Sequence, residues 1–98
     1  MPVILEFAQI TVKGGTEAKF EAIFPTAIQQ LVQSPGYISH ELQRSLETPT
    51  RYALLVKWRT LEDHTVGFRG SPAFAAWRAH LAPFLDGTPV VEHFERKF

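Results

Sequence analysis

Four segments of the chain have the composition and alternation of β-strands. They are rich in β-branched and aromatic residues and are bounded by Gly, Pro, Ser or Thr, which predicts strands at Val3–Val12, Tyr37–Leu46, Arg51–Arg59 and Pro89–Phe98. The first strand carries apolar residues at both parities, so we expect it to be covered on both faces. In the second strand the alternation places four side chains on one face: Ile38, His40, Leu42 and Leu46.

A helix is predicted between the first two strands, with Thr16 as its N-cap. Apolar residues recur at the spacing of one helical face, at Phe20, Ile23, Phe24, Ala27, Ile28, Leu31 and Val32. Because proline has no backbone N–H, Pro25 predicts a kink or a break into two pieces. The sequence Ser34-Pro35-Gly36 ends this helical region.

A second helical region follows the third strand. Thr60 and Asp63 resemble a capping box, which predicts a short helix to about Phe68. Ser71-Pro72 has the form of an N-cap followed by proline at the first helical position, so a further helix is expected to begin there. Asp86-Gly87 ends it.

The order of elements is therefore β-α-β-β-α-β, in one domain over residues 1–98. This order predicts an α+β ferredoxin-like fold, in which two helices cover one face of a four-stranded antiparallel sheet. The other face would expose the remaining apolar strand residues as a large patch. We therefore expect a homodimer formed through the open face of the sheet.

The charge and residue usage exclude several classes of function. Ten basic and ten acidic residues give a net charge of zero, so the chain has no basic excess for nucleic acid. It has no cysteine, which excludes disulfides, thiolate nucleophiles and Cys-ligated metals. Its four histidines lack metal-ligand spacing, and no glycine-rich nucleotide-binding motif occurs. We expect no metal or nucleotide cofactor.

The chain also lacks the signals of export and membrane insertion. Its amino terminus has no basic segment, and its apolar run is too short for a signal peptide. No run of about 18 apolar residues occurs. We expect a cytoplasmic protein with no membrane partner.

The stretch from Trp58 to Phe84 carries more aromatic surface than a small core needs. Helical spacing places Leu61, His64 and Phe68 on one stripe. The next stripe holds Phe74, Trp77, Leu81 and Phe84. This pattern fits a pocket for a flat, apolar molecule, and it equally fits a plain hydrophobic core.

Several of these segments resemble the antibiotic biosynthesis monooxygenase (ABM) family of the dimeric α+β barrel group. They are Trp58 at the end of the third strand, Leu61-Glu62-Asp63-His64, Phe68, Ser71-Pro72-Ala73-Phe74 and Val90-Val91-Glu92-His93-Phe94. The resemblance covers essentially the whole chain. It implies two ferredoxin-like protomers whose sheets pack into a barrel, with a pocket between helices and sheet in each.

The resemblance implies a choice of activities. The family includes oxygenases that act on quinols or anthrones without metal or flavin, and these implicate a Trp, a Tyr, an Arg and an Asn. Trp58 and Arg78 occupy similar places here, His64 stands where the Tyr is expected, and the chain contains no Asn. The family also includes haem-degrading enzymes that rely on an Asn and a His, and His80 lies close to that ligand position.

His64, Trp58 and Arg78 are the predicted catalytic residues. An imidazole in apolar surroundings favours its neutral form, so His64 is expected to act as a base. Trp58 is expected to line the pocket, and Arg78 to hold a developing anion. The predicted substrate-binding residues are Phe68, Phe74, Trp77, His80 and Phe84. Each prediction has a purely structural alternative. These are a hydrogen bond to a backbone carbonyl for His64, core packing for the aromatic residues, and a solvent-exposed helix surface for Arg78 and His80.

Two functions follow from this interpretation. The first is a cofactor-independent monooxygenase that oxidises a small aromatic substrate, quinol-like or anthrone-like, with O2. The alternative is a non-catalytic dimer of the same fold that binds a small molecule or haem. The fold alone does not choose between them.

Overall fold

A computed structural model describes residues 3–98 of the chain. Four antiparallel strands form one sheet in the order β2-β3-β1-β4. Their bounds are β1 Ile4–Thr11, β2 Tyr37–Arg44, β3 Arg51–Trp58 and β4 Val90–Glu95. This topology confirms the predicted ferredoxin-like fold. The predicted strands were too long at their ends. The difference is largest at β4, where residues 96–98 do not pair with a neighbouring strand.

The helices pack on one face of the sheet. They are α1 Glu17–Ala27, α2 Gln29–Val32, a π-helix Asp63–Phe68, α3 Pro72–Leu81 and a 3-10 turn Ala82–Phe84. The predicted break occurs, but α1 continues through Pro25 and separates from α2 at Ile28. Within residues 3–98, none of these helices combines the length and the apolar content needed to cross a membrane.

Thr16 lies at the predicted N-cap position but does not make the predicted bond. Its hydroxyl donates to the carbonyl of Lys13 at 2.6 Å, and it accepts no hydrogen bond from the helix. The carboxylate of Glu17 instead accepts the backbone N–H of Gly15 at 2.8 Å. A negative charge in the first turn is also favoured by the helix dipole.

The hydrophobic core lies between the helices and the sheet. Even-numbered positions of β1 and β3 face it, because alternate side chains of a strand share one face. The strand members of the core are Ala8, Ile10, Val12, Tyr52, Leu54, Val56 and Trp58. The helical members are Phe20, Phe24, Ala27, Ile28, Leu31, Phe68, Trp77 and Leu81.

A β-bulge in β2 changes the predicted face of that strand. The register shifts between Tyr37 and Ser39, so Ile38 is displaced to the surface and is 47% exposed. Tyr37 packs on the core in its place, beside Trp58. Leu46 lies beyond the end of β2 and is 91% exposed. The prediction that Ile38 and Leu46 share one face of this strand with His40 and Leu42 was therefore wrong.

Apolar side chains also lie on the second face of the sheet, and no part of residues 3–98 covers them. Leu5, Phe7 and Leu55 are half-buried there, while Val90 and Phe94 are exposed. The strand register brings Leu5 opposite Phe94, and the rings of Phe7 and Phe94 meet edge to face at 6.4 Å. The chain therefore presents an apolar strip on β1 and β4, which Glu92, opposite Phe7, interrupts between Val90 and Phe94.

Candidate active site

A cavity of about 490 Å³ lies between the helix layer and the sheet. Apolar side chains of the strands, including Ala8, Ile10, Leu54 and Val91, form its floor. Residues of the π-helix and α3 form its wall, and the segment at Gly87–Pro89 adds to its rim. Residues of the Trp58–Phe84 stretch therefore contribute both to the hydrophobic core and to the cavity wall. The two alternative interpretations of this stretch, a core and a pocket, each describe part of it.

Five of the predicted site residues line this cavity: His64, Phe68, Phe74, Trp77 and Arg78. The rings of Phe68 and Phe74 meet edge to face at 5.6 Å. The Arg78 guanidinium lies over the ring of Phe74, 5.6 Å from its centroid. The wall thus combines aromatic surface with a cation.

Three predicted site residues do not line the cavity. Trp58 is fully buried behind His64, and the two rings stack at 5.2 Å with an interplanar angle of 23°. His80 is half-buried on α3, and Phe84 packs against Phe20 at 6.5 Å. The expectation that Trp58, His80 and Phe84 line the pocket is therefore not met. With His80 outside the cavity, the predicted haem ligand is missing from its wall.

Glu6 is a cavity residue that sequence reasoning missed. Its carboxylate is buried, with the residue 4% exposed, and its Oε1 accepts the indole N–H of Trp58 at 2.9 Å. Its position in the sequence could have identified it, because Glu6 lies in the same alternating set of strand positions as Ala8 and Ile10, which face the core. A carboxylate is rarely buried without a partner, so such a position indicates a polar site.

His64 is held at both of its ring nitrogens. Nε2 lies 3.3 Å from Oε1 of Glu6, and Nδ1 lies 2.8 Å from Nε2 of His93. The imidazole is 3% exposed and stacks between Trp58 and Phe68, whose ring centroid is 6.1 Å away. In this arrangement neither nitrogen of His64 is free to bind a substrate.

The helix that carries His64 is a π-helix, where an ordinary short helix was predicted. Its wider turn is closed by the N–H of Arg69, which donates to the carbonyl of His64 at 3.1 Å. At its start, the hydroxyl of Thr60 accepts the N–H of Asp63 at 3.1 Å, which is one of the two hydrogen bonds of a capping box. Such turns are rare and occur frequently at functional sites.

Gly36 and Asp63 fix the start of the π-helix against the sheet. Gly36 has φ of +86°, and a Cβ built on it would overlap the carboxylate of Asp63. The Gly36 carbonyl accepts the N–H of Arg59 at 2.8 Å, which joins this turn to the end of β3. The position therefore requires glycine for both its conformation and its close packing.

Burial sets the protonation of the polar cluster formed by Glu6, His64 and His93. Desolvation raises the pKa of Glu6, although the Trp58 hydrogen bond and the charge of Arg69 oppose the change. Desolvation also lowers the pKa of His64 to about 4, and Arg69 and His93 act in the same direction. The pKa of His93 is lowered by the same kind of burial and by Arg69. Both imidazoles are therefore neutral at neutral pH.

Two arginines line the cavity, one of them unpredicted. Arg69 follows the π-helix, and its charge reaches Glu6, His64 and His93. Arg78 lies on α3. Within residues 3–98 neither forms an ion pair with a carboxylate, so both are available to an anion in the cavity. Residues 3–98 contain no cluster of three or more His, Asp or Glu side chains arranged to hold a metal ion.

The chain is therefore a small α+β protein with a ferredoxin-like fold and a cavity between its helices and its sheet. The sequence model of the antibiotic biosynthesis monooxygenase family matches residues 3–80. The chain belongs to this family, as its sequence resemblance implied.

Relatives of the chain are similar over their full lengths. The uncharacterised protein YczJ of Bacillus subtilis (strain 168) is 43% identical, over 95% of this chain and 98% of YczJ. A crystal structure from Bordetella bronchiseptica, provisionally described as an antibiotic biosynthesis monooxygenase, is 36% identical. It covers 100% of both chains with a TM-score of 0.95.

SnoaB of Streptomyces nogalater, described as a cofactor-independent oxygenase, superposes with a TM-score of 0.84. The superposition covers 100% of this chain and 96% of SnoaB. At 19% sequence identity, it shows a shared fold.

Proposed function

We propose that the protein is a cofactor-independent monooxygenase that oxidises a small, hydroxylated aromatic substrate with O2. The observation that carries the proposal is the cavity itself, which is largely apolar, includes three aromatic residues, and has Glu6, His64 and two arginines on its wall. Its volume of about 490 Å³ is typical of a small-molecule site. The similarity in fold to SnoaB, a cofactor-independent oxygenase, supports the same class of reaction.

The proposed reaction needs no redox group from the protein. A phenol or anthrone that loses a proton becomes an electron-rich anion, which can pass an electron to O2 directly. One oxygen atom enters the substrate, two hydrogen atoms leave it, and the second oxygen atom is released as water. The substrate supplies all the electrons, so the protein provides a base, an anion partner and a dry chamber.

The cavity residues divide these tasks. Phe68, Phe74 and Trp77 bind the flat face of the substrate, because aromatic rings offer large apolar contact. Arg78 and Arg69 stabilise the developing anion. The polar cluster around His64 provides the acid–base function. Trp58 acts from behind the wall, since its N–H holds Glu6 in place.

The proposal includes a homodimer built through the apolar strip on β1 and β4. Phe94 is 46% exposed and Val90 is 63% exposed in the protomer. Burying such residues against a second copy removes apolar area from water, at roughly 25 cal/mol per Å². The family resemblance implies the same barrel.

Oxygen uptake tests the proposed function. Purified protein, treated with a metal chelator, is offered a panel of quinols and anthrones while dissolved O2 is measured. We expect protein-dependent uptake that the chelator does not change. His64→Gln should reduce it, whereas His40→Gln, on β2 and outside the cavity, should not. Binding of the panel without any uptake would favour the alternative, a non-catalytic binding protein.

A further inference from the structure

The two oxygens of the Glu6 carboxylate have different surroundings. Oε1 accepts the indole N–H of Trp58 at 2.9 Å and lies 3.3 Å from Nε2 of His64. Oε2 accepts no hydrogen bond from residues 3–98, yet it is not among the buried polar atoms that lack a partner. Because Glu6 lines the cavity, Oε2 is the atom that a bound molecule can reach.

We propose that Glu6 takes the proton from the substrate hydroxyl, and that His64 and His93 conduct that proton to solvent. This inference rests on the proposed function, since it requires a substrate with an ionisable O–H group. It reassigns His64, because an imidazole engaged at both nitrogens acts through its neighbours. Glu6 is then the catalytic base, and His64 is a positioning and relay residue.

The relay balances in protons. Before reaction Glu6 is ionised, and both imidazoles carry hydrogen on Nδ1, so that His64 donates to Nε2 of His93 and its own Nε2 is free to accept a proton from Glu6. The substrate O–H bond then breaks and an O–H bond forms on Glu6, which leaves a phenolate. Transfer from Glu6 to Nε2 of His64, from Nδ1 of His64 to Nε2 of His93, and from Nδ1 of His93 to water releases one proton and leaves Glu6 ionised, with hydrogen on Nε2 of both imidazoles. Exchange of both rings back to their Nδ1–H tautomers restores the first state. No redox change occurs in these steps.

The groups that face Glu6 suit this role. Burial raises the pKa of its carboxyl, which makes Glu6 a stronger base than an exposed carboxylate. From the neighbouring elements, Trp58 on β3, His64 on the π-helix and His93 on β4 are neutral, and Arg69 supplies the nearby positive charge. That cation favours the phenolate once it forms.

Binding of para-nitrophenol tests the proton transfer without any turnover, because its anion absorbs at a longer wavelength than its neutral form. In the wild-type protein the bound probe should be anionic at a pH where the free probe is neutral and Glu6 is ionised. The proton stays inside the complex, so the anionic fraction should change little with pH. In Glu6→Gln the ratio of anionic to neutral bound probe should fall about tenfold for each unit decrease in pH.

The direction of this change separates proton transfer from simple electrostatics. Glu6→Gln removes a negative charge beside the probe, and charge alone would therefore increase the phenolate. A loss of phenolate in Glu6→Gln, with the wild-type signal kept in the surface control Glu47→Gln, supports the proposal. An equal or larger phenolate signal in Glu6→Gln would overturn it.

Two further measurements keep the proposal testable. If Glu6→Gln does not fold, infrared difference spectra of the wild-type protein should show a new protonated-carboxyl band when the probe binds, and its absence refutes the transfer. His93→Leu should keep the phenolate amplitude and slow the isotope shift of that carboxyl band after dilution into D2O, because the proton held on Glu6 then exchanges with solvent more slowly. Exchange at the wild-type rate would remove the relay.

The outcomes also separate this inference from the proposed function. Glu6-dependent ionisation of the probe without O2 uptake on any substrate would reject the oxygenase and retain the proton acceptor. O2 uptake that persists in Glu6→Gln, with no ionisation of the probe in the wild-type protein, would reject the proton acceptor alone.

Discussion

The indole N–H of Trp58 donates to Oε1 of Glu6 at 2.9 Å, between two adjacent strands of the sheet. Glu6 lies opposite Val56, so Trp58 is its diagonal neighbour on the same face. This bond compensates part of the cost of burying a carboxylate, and it fixes the position of the oxygen that His64 approaches. The polar cluster of the cavity therefore depends on a residue outside the cavity wall.

Trp58→Phe should cost more stability than its lost ring area explains. The variant keeps an aromatic ring but leaves Oε1 of Glu6 without its donor, which should add about 1–3 kcal/mol to the loss in unfolding free energy. Trp77→Phe is the matched control, because the Trp77 indole makes no hydrogen bond within residues 3–98. Urea unfolding measures both. Equal costs, or a Trp58→Phe cost unchanged in a Glu6→Leu background, would contradict the account.

His64 should make stability depend on pH in the acid range. Its pKa is about 4 in the folded protein, against an ordinary value of 6.5, so the unfolded chain binds its proton first as pH falls. The unfolding free energy should therefore fall between pH 6.5 and about 4. His93, whose pKa is also lowered, contributes in the same direction, and the raised pKa of Glu6 opposes both.

His64→Gln should flatten this pH dependence. The variant should take up about one proton fewer on unfolding within that window, as measured by urea unfolding over a pH series. His40→Gln serves as the control. The same slope in the wild-type protein and in His64→Gln would show that His64 is not held neutral by the fold.

Gly36→Ala should destabilise the start of the π-helix more than Gly15→Ala. Both glycines have positive φ, +86° and +89°, so each substitution carries a similar backbone cost of about 1–2 kcal/mol. Only at Gly36 would the added Cβ overlap Asp63; at Gly15 it meets nothing within 4 Å. Thermal unfolding compares the two variants. Equal losses would mean that the close packing of Gly36 against Asp63 contributes nothing.

Phe94→Glu should convert the proposed dimer into a monomer. The substitution places a charge in the apolar strip, where dimer formation would bury it at a high cost. Val66→Glu, on the exposed side of the π-helix with Val66 68% exposed, is the matched control and should remain dimeric. Sedimentation velocity at micromolar concentration measures both. A monomeric wild-type protein would contradict the barrel.

Much of the fold could be predicted from local patterns. The strand composition of the four segments and the helical spacing after Thr16 reflect local propensity and the burial of one helix face, which the chain encodes directly. The bulge at Ile38 could not be predicted, because its register depends on the pairing of β2 with β3. The π-helix was also missed, since its extra residue per turn is set by packing against the sheet.

The part of the candidate site that lies on helices could also be predicted from local spacing. His64, Phe68 and Trp77 belong to helices whose spacing identifies their inward faces. The contacts of His64 with Glu6 and His93 join residues far apart in the chain, and no local pattern relates them. Trp58 was expected to line the pocket, but the ring of His64 in the π-helix stacks on it, and the pattern of β3 alone does not predict that contact.

The most direct test of the central claim follows the oxygen atoms. The chelator-treated protein is supplied with isotopically labelled O2 and the substrate from the panel that supports uptake, and the product is analysed by mass spectrometry. The account predicts one labelled oxygen atom in each product molecule, the other in water, and no accumulation of hydrogen peroxide. Product oxygen derived from water, or no O2 consumption with any quinol or anthrone, would contradict a cofactor-independent monooxygenase.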